Sequence, residues 1–189
     1  MSAIDVTGGI LAGGRGLRMG GRDKGLIEVA GQTLVALTCA RLRPQVSTIL
    51  VSANRNLDRY QELGFPVHAD DVDGFLGPLA GIATLLARLK TSFLMTVPCD
   101  TPGFPIDLVA ALRSTLVESD ADAVVTHDGE QRQFLFALYR RELAVTAARA
   151  LESGERAIWR WHEKLKITEC SVAAASAFVN VNSEVDIKS

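Results

Sequence analysis

Cysteine and histidine are scarce, with three of each in 189 residues and none close to another. Cys39, Cys99 and Cys170 are odd in number and far apart, which fits free thiols in a reducing compartment rather than a disulfide framework. His68, His127 and His162 are equally scattered, so no zinc-type ligand spacing exists. An excess of one charge sign is missing too. Twenty Lys and Arg against 22 Asp and Glu leave a formal net charge of −2 and a pI near 5.9. That excludes the basic balance of a protein that coats nucleic acid or an anionic membrane. A small anionic ligand stays open, because a local cluster of cations is invisible in the total. No window approaches the ~18 consecutive apolar residues of a membrane span. Residues 1–5 lack the basic-then-apolar layout of a signal peptide. Repeats, low-complexity tracts and long linkers are also missing. The expectation is a single cytoplasmic domain covering residues 1–189, with no nucleic-acid or membrane partner and enough chain for a real core.

What is present is an alternation of strand-like and helix-like segments. Residues 5–11 read as a first strand, and "TLVALTCARLR" (33–43) as a helix with Thr33 at its N-cap and Pro44 beyond its end. "STILVSAN" (47–54) and "FLMTVPCD" (93–100) are apolar, β-rich buried strands, and "FPVHADD" (65–71) is a short one. Residues 55–64, 77–90, 106–118, 141–152 and 156–164 carry helical spacing, while 123–127 and the "FLFALYRR" that follows the turn "DGEQRQ" read as strands. Such alternation predicts an α/β fold, a Rossmann-like, mostly parallel sheet with helices on both faces and right-handed connections. In such sheets ligands bind at the carboxyl ends of the strands, near a switch in strand order. Three loops stand there: the glycine loop after the first strand, "ADDVDGFLGP" and "PCDTPG".

The first of these, within "ILAGGRGLRMGGRDKG" (10–25), packs six glycines, three arginines and one lysine into sixteen residues. A Walker A loop would need Gly-Lys followed by Ser or Thr, and the chain contains no Gly-Lys dipeptide. A dinucleotide fingerprint starts at Gly14 and Gly16 but meets Met19 where its third glycine belongs. There remains a longer loop whose backbone amides and cations could wrap a triphosphate, the competing reading being a flexible surface loop with solvated cations. Gly13 and Gly14 let the main chain approach an anion, and Arg15, Arg18 and Lys24 bring positive charge suited to phosphate.

Leu11 to Lys24, read as L-A-G-G-x-x-x-R-M-G-x-x-D-K, resembles the signature of the sugar- and cofactor-nucleotidyltransferase superfamily. "GPLAG" (77–81), "PCD" (98–100) and "FVNVN" (178–182) narrow the likeness to the molybdenum cofactor guanylyltransferase (MobA) family, in order from about residue 8 to 187. The resemblance implies transfer of GMP from GTP to a molybdopterin acceptor, with pyrophosphate released and Mg²⁺ as the ion. Residues up to about 100 would then bind nucleotide and the remainder the acceptor. It also implies transient contacts with other proteins of molybdenum cofactor biosynthesis or with molybdoenzyme chaperones. All reacting groups are anionic, so catalysis should be mainly positioning and charge neutralisation.

Carried over position by position, Leu11, Ala12, Gly13, Gly14 and Arg15 would meet the nucleotide, and Lys24 with Arg18 would neutralise its phosphates. Asp100, at the end of a buried strand, would be the metal ligand, its competing reading being a cap on the turn at Pro102. Asp70 would read the guanine edge or the ribose, and Asp23 would orient Lys24. Asn180 and Asn182 would line the acceptor side or support the metal. Two departures stand out. The chain has Ser52-Ala53-Asn54-Arg55 where relatives often read N-A-N-R, so Ser52 would keep only a hydroxyl for the nucleotide. It has Gln133-Phe134 where relatives tend to have His-Pro, which bears on the acceptor site.

Rival readings share the loop: a cytidylyltransferase, a sugar-phosphate nucleotidyltransferase, or an idle nucleotide-binding module, which would have lost Lys24 or Asp100. The Asp71-x-Asp73 pair matches a short metal motif of some glycosyltransferases, but the N-terminal loop outweighs it. Trp159 and Trp161 would not share a helix face at a spacing of two, so at least one belongs to the core.

Overall fold

A computed structural model describes residues 5–14, 23–71, 77–172 and 175–181. In chain order, β1 (Val6–Leu11) leads to a small ribbon of β2 (Glu28–Val29) and β3 (Gln32–Thr33). The ribbon turns through Ala30 and Gly31, both at positive φ (50° and 80°), the geometry that matches strand twist in a two-residue hairpin. Helix α1 (Leu34–Leu42) follows at once, and the Thr33 hydroxyl accepts from the Ala36 amide at 3.3 Å, the expected N-cap. Next come β4 (Thr48–Ser52), α2 (Leu57–Gln61), β5 (Val67–His68), α3 (Pro78–Ala87) and β6 (Phe93–Pro98). The second half contains α4 (Leu108–Val117), β7 (Ala123–His127), β8 (Arg132–Arg140), α5 (Ala144–Glu152), α6 (Ile158–His162) and β9 (Ile167–Ser171).

Helix α2 is shorter than its sequence pattern because Asn56 sits in the left-handed region at φ 51°, so the helix starts only at Leu57. Neither the β2–β3 ribbon nor β9 was expected; both carry polar residues and expose part of one face.

Seven strands pair in the order β5-β4-β1-β6-β8-β7-β9. All run parallel except β8, which is antiparallel to both neighbours. The reversal has a local cause. Residues 128–131 join β7 to β8, far too few for a crossover, and the Asp128 carboxylate closes the turn by accepting from the amides of Glu130 and Gln131 at 2.8 Å each. The chain travels outward from β1 through β4 to β5 and then returns to β6 on the other side of β1. The switch in strand order therefore lies at β1.

Helices cover both faces. On one, Val35, Cys39 and Leu42 of α1 and Leu108, Leu112 and Leu116 of α4 pack on Val6, Ile10, Val51 and Val97. On the other, Leu79, Ile82 and Leu85 of α3 and Ala147 and Leu151 of α5 pack on Leu50, Leu94, Val125 and Ala137. Trp161 is buried in this second core while Trp159 is 46% exposed, so the two tryptophans part as their spacing requires. Burial pulls His162 down to about 4, and its Nε2 lies 2.8 Å from the Tyr139 hydroxyl. No described helix is long and apolar enough to cross a membrane.

Candidate functional site

Leu11 stands level with Ser52 on one side and Pro98 on the other, and Ser52 is level with His68. Four parallel strands thus end at one height. Pairing continues one step into the loops: the Ala12 amide donates to the Ser52 carbonyl at 2.8 Å, Ala53 to His68 at 3.0 Å, and Cys99 to Leu11 at 3.2 Å. The loop after β1, with half-buried Gly13 and exposed Gly14, therefore leaves the sheet between two others. On one side is the group around β4 and β5, and on the other the Cys99–Asp100 turn. The two flanking strands lie about 10 Å apart, twice the interstrand spacing.

Asp70 sits just beyond β5 and is half-buried. Its carboxylate accepts from Asn54 Nδ2 at 2.7 Å through Oδ2 and from Ser52 Oγ at 3.2 Å through Oδ1, and its amide donates to Asn54 Oδ1 at 2.8 Å. Burial pushes this carboxyl above the usual carboxylate range, against the two side-chain hydrogen bonds, which lower it. The cluster is closely packed. A Cβ on Gly13 would lie 2.9 Å from Asn54 Nδ2, and one on Gly81 of α3 would lie 2.7 Å from Ser52 Oγ, so a larger residue at either position would displace the cluster's side chains.

Across β1 lies a different arrangement. Asp100 is buried, and its Oδ2 accepts from Lys24 Nζ at 3.0 Å. The neighbouring Thr101 hydroxyl is 3.4 Å from Asp100 Oδ1 and donates to Asn180 Oδ1 at 2.7 Å. The Val181 amide donates to the Asp100 carbonyl at 2.8 Å. The last described segment is thereby fastened to the end of β6. Asp23 is held by other groups, accepting from the Tyr60 hydroxyl at 2.6 Å and from Asn56 Nδ2 at 2.9 Å. Lys24 thus follows an anchored residue and reaches back over the turn. Among the described residues no three His, Cys, Asp or Glu side chains converge to hold a metal. A hard cation that keeps water and substrate phosphates as ligands needs only one or two carboxylates. Asp100 fits that lesser demand.

The arrangement thus brings Leu11, Ala12, Gly13 and Gly14 between Ser52 with Asp70 and Lys24 with Asp100, with Asn180 tied in through Thr101. Arg15, Arg18 and Asn182 lie outside the described residues, as does Asp73 of the short acidic motif. Gln133 is taken up by the β7–β8 turn, where its Nε2 donates to Asp128 Oδ2 at 2.6 Å. The roles of two members of the polar clusters escaped sequence reasoning. Thr101 could have been found as a hydroxyl adjacent to Asp100, and Asn54 as the second polar side chain at the end of a buried strand.

Residues 8–167 match the family described as MobA-like NTP transferase domain. The chain is similar to the molybdenum cofactor guanylyltransferase of Shewanella sp. (strain MR-4), 43% identical over 95% of this chain and 92% of the relative. The protein of the same name from Shewanella baltica (strain OS155 / ATCC BAA-1091) is 43% identical over 96% of this chain and 92% of its own length. Among solved structures, molybdopterin-guanine dinucleotide biosynthesis protein A from Archaeoglobus fulgidus shares the fold, with a TM-score of 0.77 at 21% identity over 96% of this chain and 95% of that one.

Proposed function

The chain belongs to the family of MobA-like NTP transferase domains, and from that premise we propose how it acts as a molybdenum cofactor guanylyltransferase. It transfers the GMP group of GTP to molybdopterin. A phosphate oxygen of the acceptor forms a bond to the α-phosphorus, the bond from that phosphorus to the β-phosphate bridge breaks, and pyrophosphate leaves. The observation that carries this reading is the Lys24–Asp100 pair, 3.0 Å apart, at the strand-end level from which the glycine loop departs.

Phosphoryl chemistry among anions is governed by positioning and charge. The amides of Gly13 and Gly14 receive the triphosphate, with Leu11 and Ala12 forming the wall against the nucleoside and Arg15 and Arg18 adding charge. When phosphates arrive, the Lys24 ammonium exchanges its carboxylate partner for phosphate oxygens, and Asp100 is released. A divalent cation, when bound, polarises the α-phosphate and neutralises the leaving group. Asp100 would hold it together with the triphosphate, and Mg²⁺ is the ion we expect there. Asp70, steadied by Ser52, accepts from the N1–H and N2–H₂ edge of guanine, which a carboxylate matches with two parallel bonds. Asn180 and Asn182 would serve the acceptor. The acceptor and product would be exchanged with other proteins of the cofactor's biosynthesis in the cytoplasm, a setting in keeping with the three free thiols.

The test is pyrophosphate release from each of the four nucleoside triphosphates with Mg²⁺, with and without molybdopterin. Release from GTP only when the pterin is present is the expected outcome. A preference for CTP would make the protein a cytidylyltransferase, and indifference to the pterin would point to a sugar-phosphate acceptor.

A further inference from the structure

Asn54 makes three contacts, and all of them join pieces of the nucleotide side. Its Nδ2 donates to Asp70 Oδ2 at 2.7 Å and reaches the Gly13 carbonyl at 3.5 Å, while its Oδ1 accepts from the Asp70 amide at 2.8 Å. The first and third of these close a ring between one amide side chain and one residue. The Asp70 carboxylate cannot swing away without breaking the bond to Nδ2, and the Asn54 amide cannot turn over without setting oxygen against oxygen. We propose that Asn54 is a positioning residue for base recognition, fixing the Asp70 carboxylate and tying it to the Gly13 end of the phosphate loop.

The inference rests on the reading that Asp70 accepts from the base of GTP, and it adds how that acceptor is aimed. Asn54 and Ser52 each supply one neutral donor, to different oxygens of the carboxylate. An ionised carboxylate has about four acceptor directions, so one remains on each oxygen. The remaining acceptor capacity, one direction on each oxygen, suits a ligand edge with two adjacent N–H groups. Guanine presents that pair, hypoxanthine presents only its N1–H, and the pairing edges of adenine and cytosine alternate donor with acceptor. Neutral donors also leave the carboxylate its charge. Among the described residues, one charged group bears on Asp70. Asp71 follows it in the chain, its own carboxylate paired with Arg88, and acts on Asp70 in the raising direction. Because the same Nδ2 abuts the place a Cβ on Gly13 would occupy, a shift of Asn54 is felt by base reader and phosphate loop together.

The experiment compares the wild type with Asn54→Ala, the near-isosteric Asn54→Asp, and Asp70→Asn. KM and kcat are measured with GTP and with ITP, which lacks the 2-amino group. Thermal melts confirm that each variant is folded, and the Asp70 carboxyl is titrated by carbon NMR without nucleotide. Both Asn54 variants should raise KM for GTP about tenfold and move the GTP-over-ITP preference toward unity, with kcat at saturation within about threefold of wild type. Asp70 should titrate at higher pH in Asn54→Ala, since a hydrogen bond to its ionised form is gone. A preserved GTP-over-ITP preference, or an unmoved Asp70 titration in Asn54→Ala, overturns the proposal; Asn54→Asp supplies the kinetic arm should the alanine variant not fold. If Asp70→Asn alone leaves the preference intact, Asp70 is not the base reader. In that case the functional reading fails at this residue, and the base-recognition role of Asn54 falls with it whatever the titration shows.

Discussion

Asp70 and Asp100 are carboxylates at the same end of one sheet, on opposite sides of β1, and they are held in opposite ways. Asp70 is embraced by the neutral groups of Ser52 and Asn54, while Asp100 faces the ammonium of Lys24. Neutral donors fix a carboxylate in place and leave its charge and half its acceptor capacity for a ligand. A cation satisfies the charge itself, and on the proposed reading that partner is exchanged when substrate phosphates and a metal arrive. On the proposed reading, one side recognises and the other reacts.

The largest effect should come from breaking the reactive side. Asp100→Ala removes the carboxylate proposed to hold the metal, and turnover should fall by about 10²-fold or more, as for loss of one transition-state stabiliser. Steady-state pyrophosphate release measures it, and near-normal turnover would show that the two carboxylates do not differ in this way. Lys24→Ala comes next. It removes charge-assisted contacts to phosphate, so GTP should bind about tenfold to a hundredfold more weakly by calorimetry. Unchanged affinity would leave the ammonium as a mere counter-ion of Asp100. The smallest change belongs to the recognising side. Ser52→Ala deletes one neutral hydrogen bond of 3.2 Å, and GTP affinity should fall by less than about tenfold with kcat unchanged. A collapse of kcat in that variant would erase the division of labour.

Most of the architecture was legible from periodicity. β7 occupies the predicted residues 123–127, β1 and β6 lie within one or two residues of prediction, and α1 carries its predicted cap. What could not be read was tertiary in origin. β9 alternates polar with half-buried residues and becomes a strand only because β7 offers it an edge. The reversal of β8 depended on how tightly Asp128 closes a turn, and the shortening of α2 on a single left-handed Asn56. In the site, the glycine loop, Lys24 and Asp100 were visible as motif residues. Asn54 was visible within Ser52-Ala53-Asn54-Arg55 but its role was not, because that lies in a partner sixteen positions away that only the pairing of β4 with β5 brings near.

The alignment of Leu11, Ser52, His68 and Pro98 in one row has a consequence for how such a protein can change. Each strand delivers its loop to the same plane, and side chains such as Asn54 and Lys24 then bond from one loop to the next. On the proposed assignment, altering the residues around β4 and β5 would redraw the choice of base, and altering those after β6 would redraw the choice of acceptor. On that assignment the sheet serves as a common datum for two specificities.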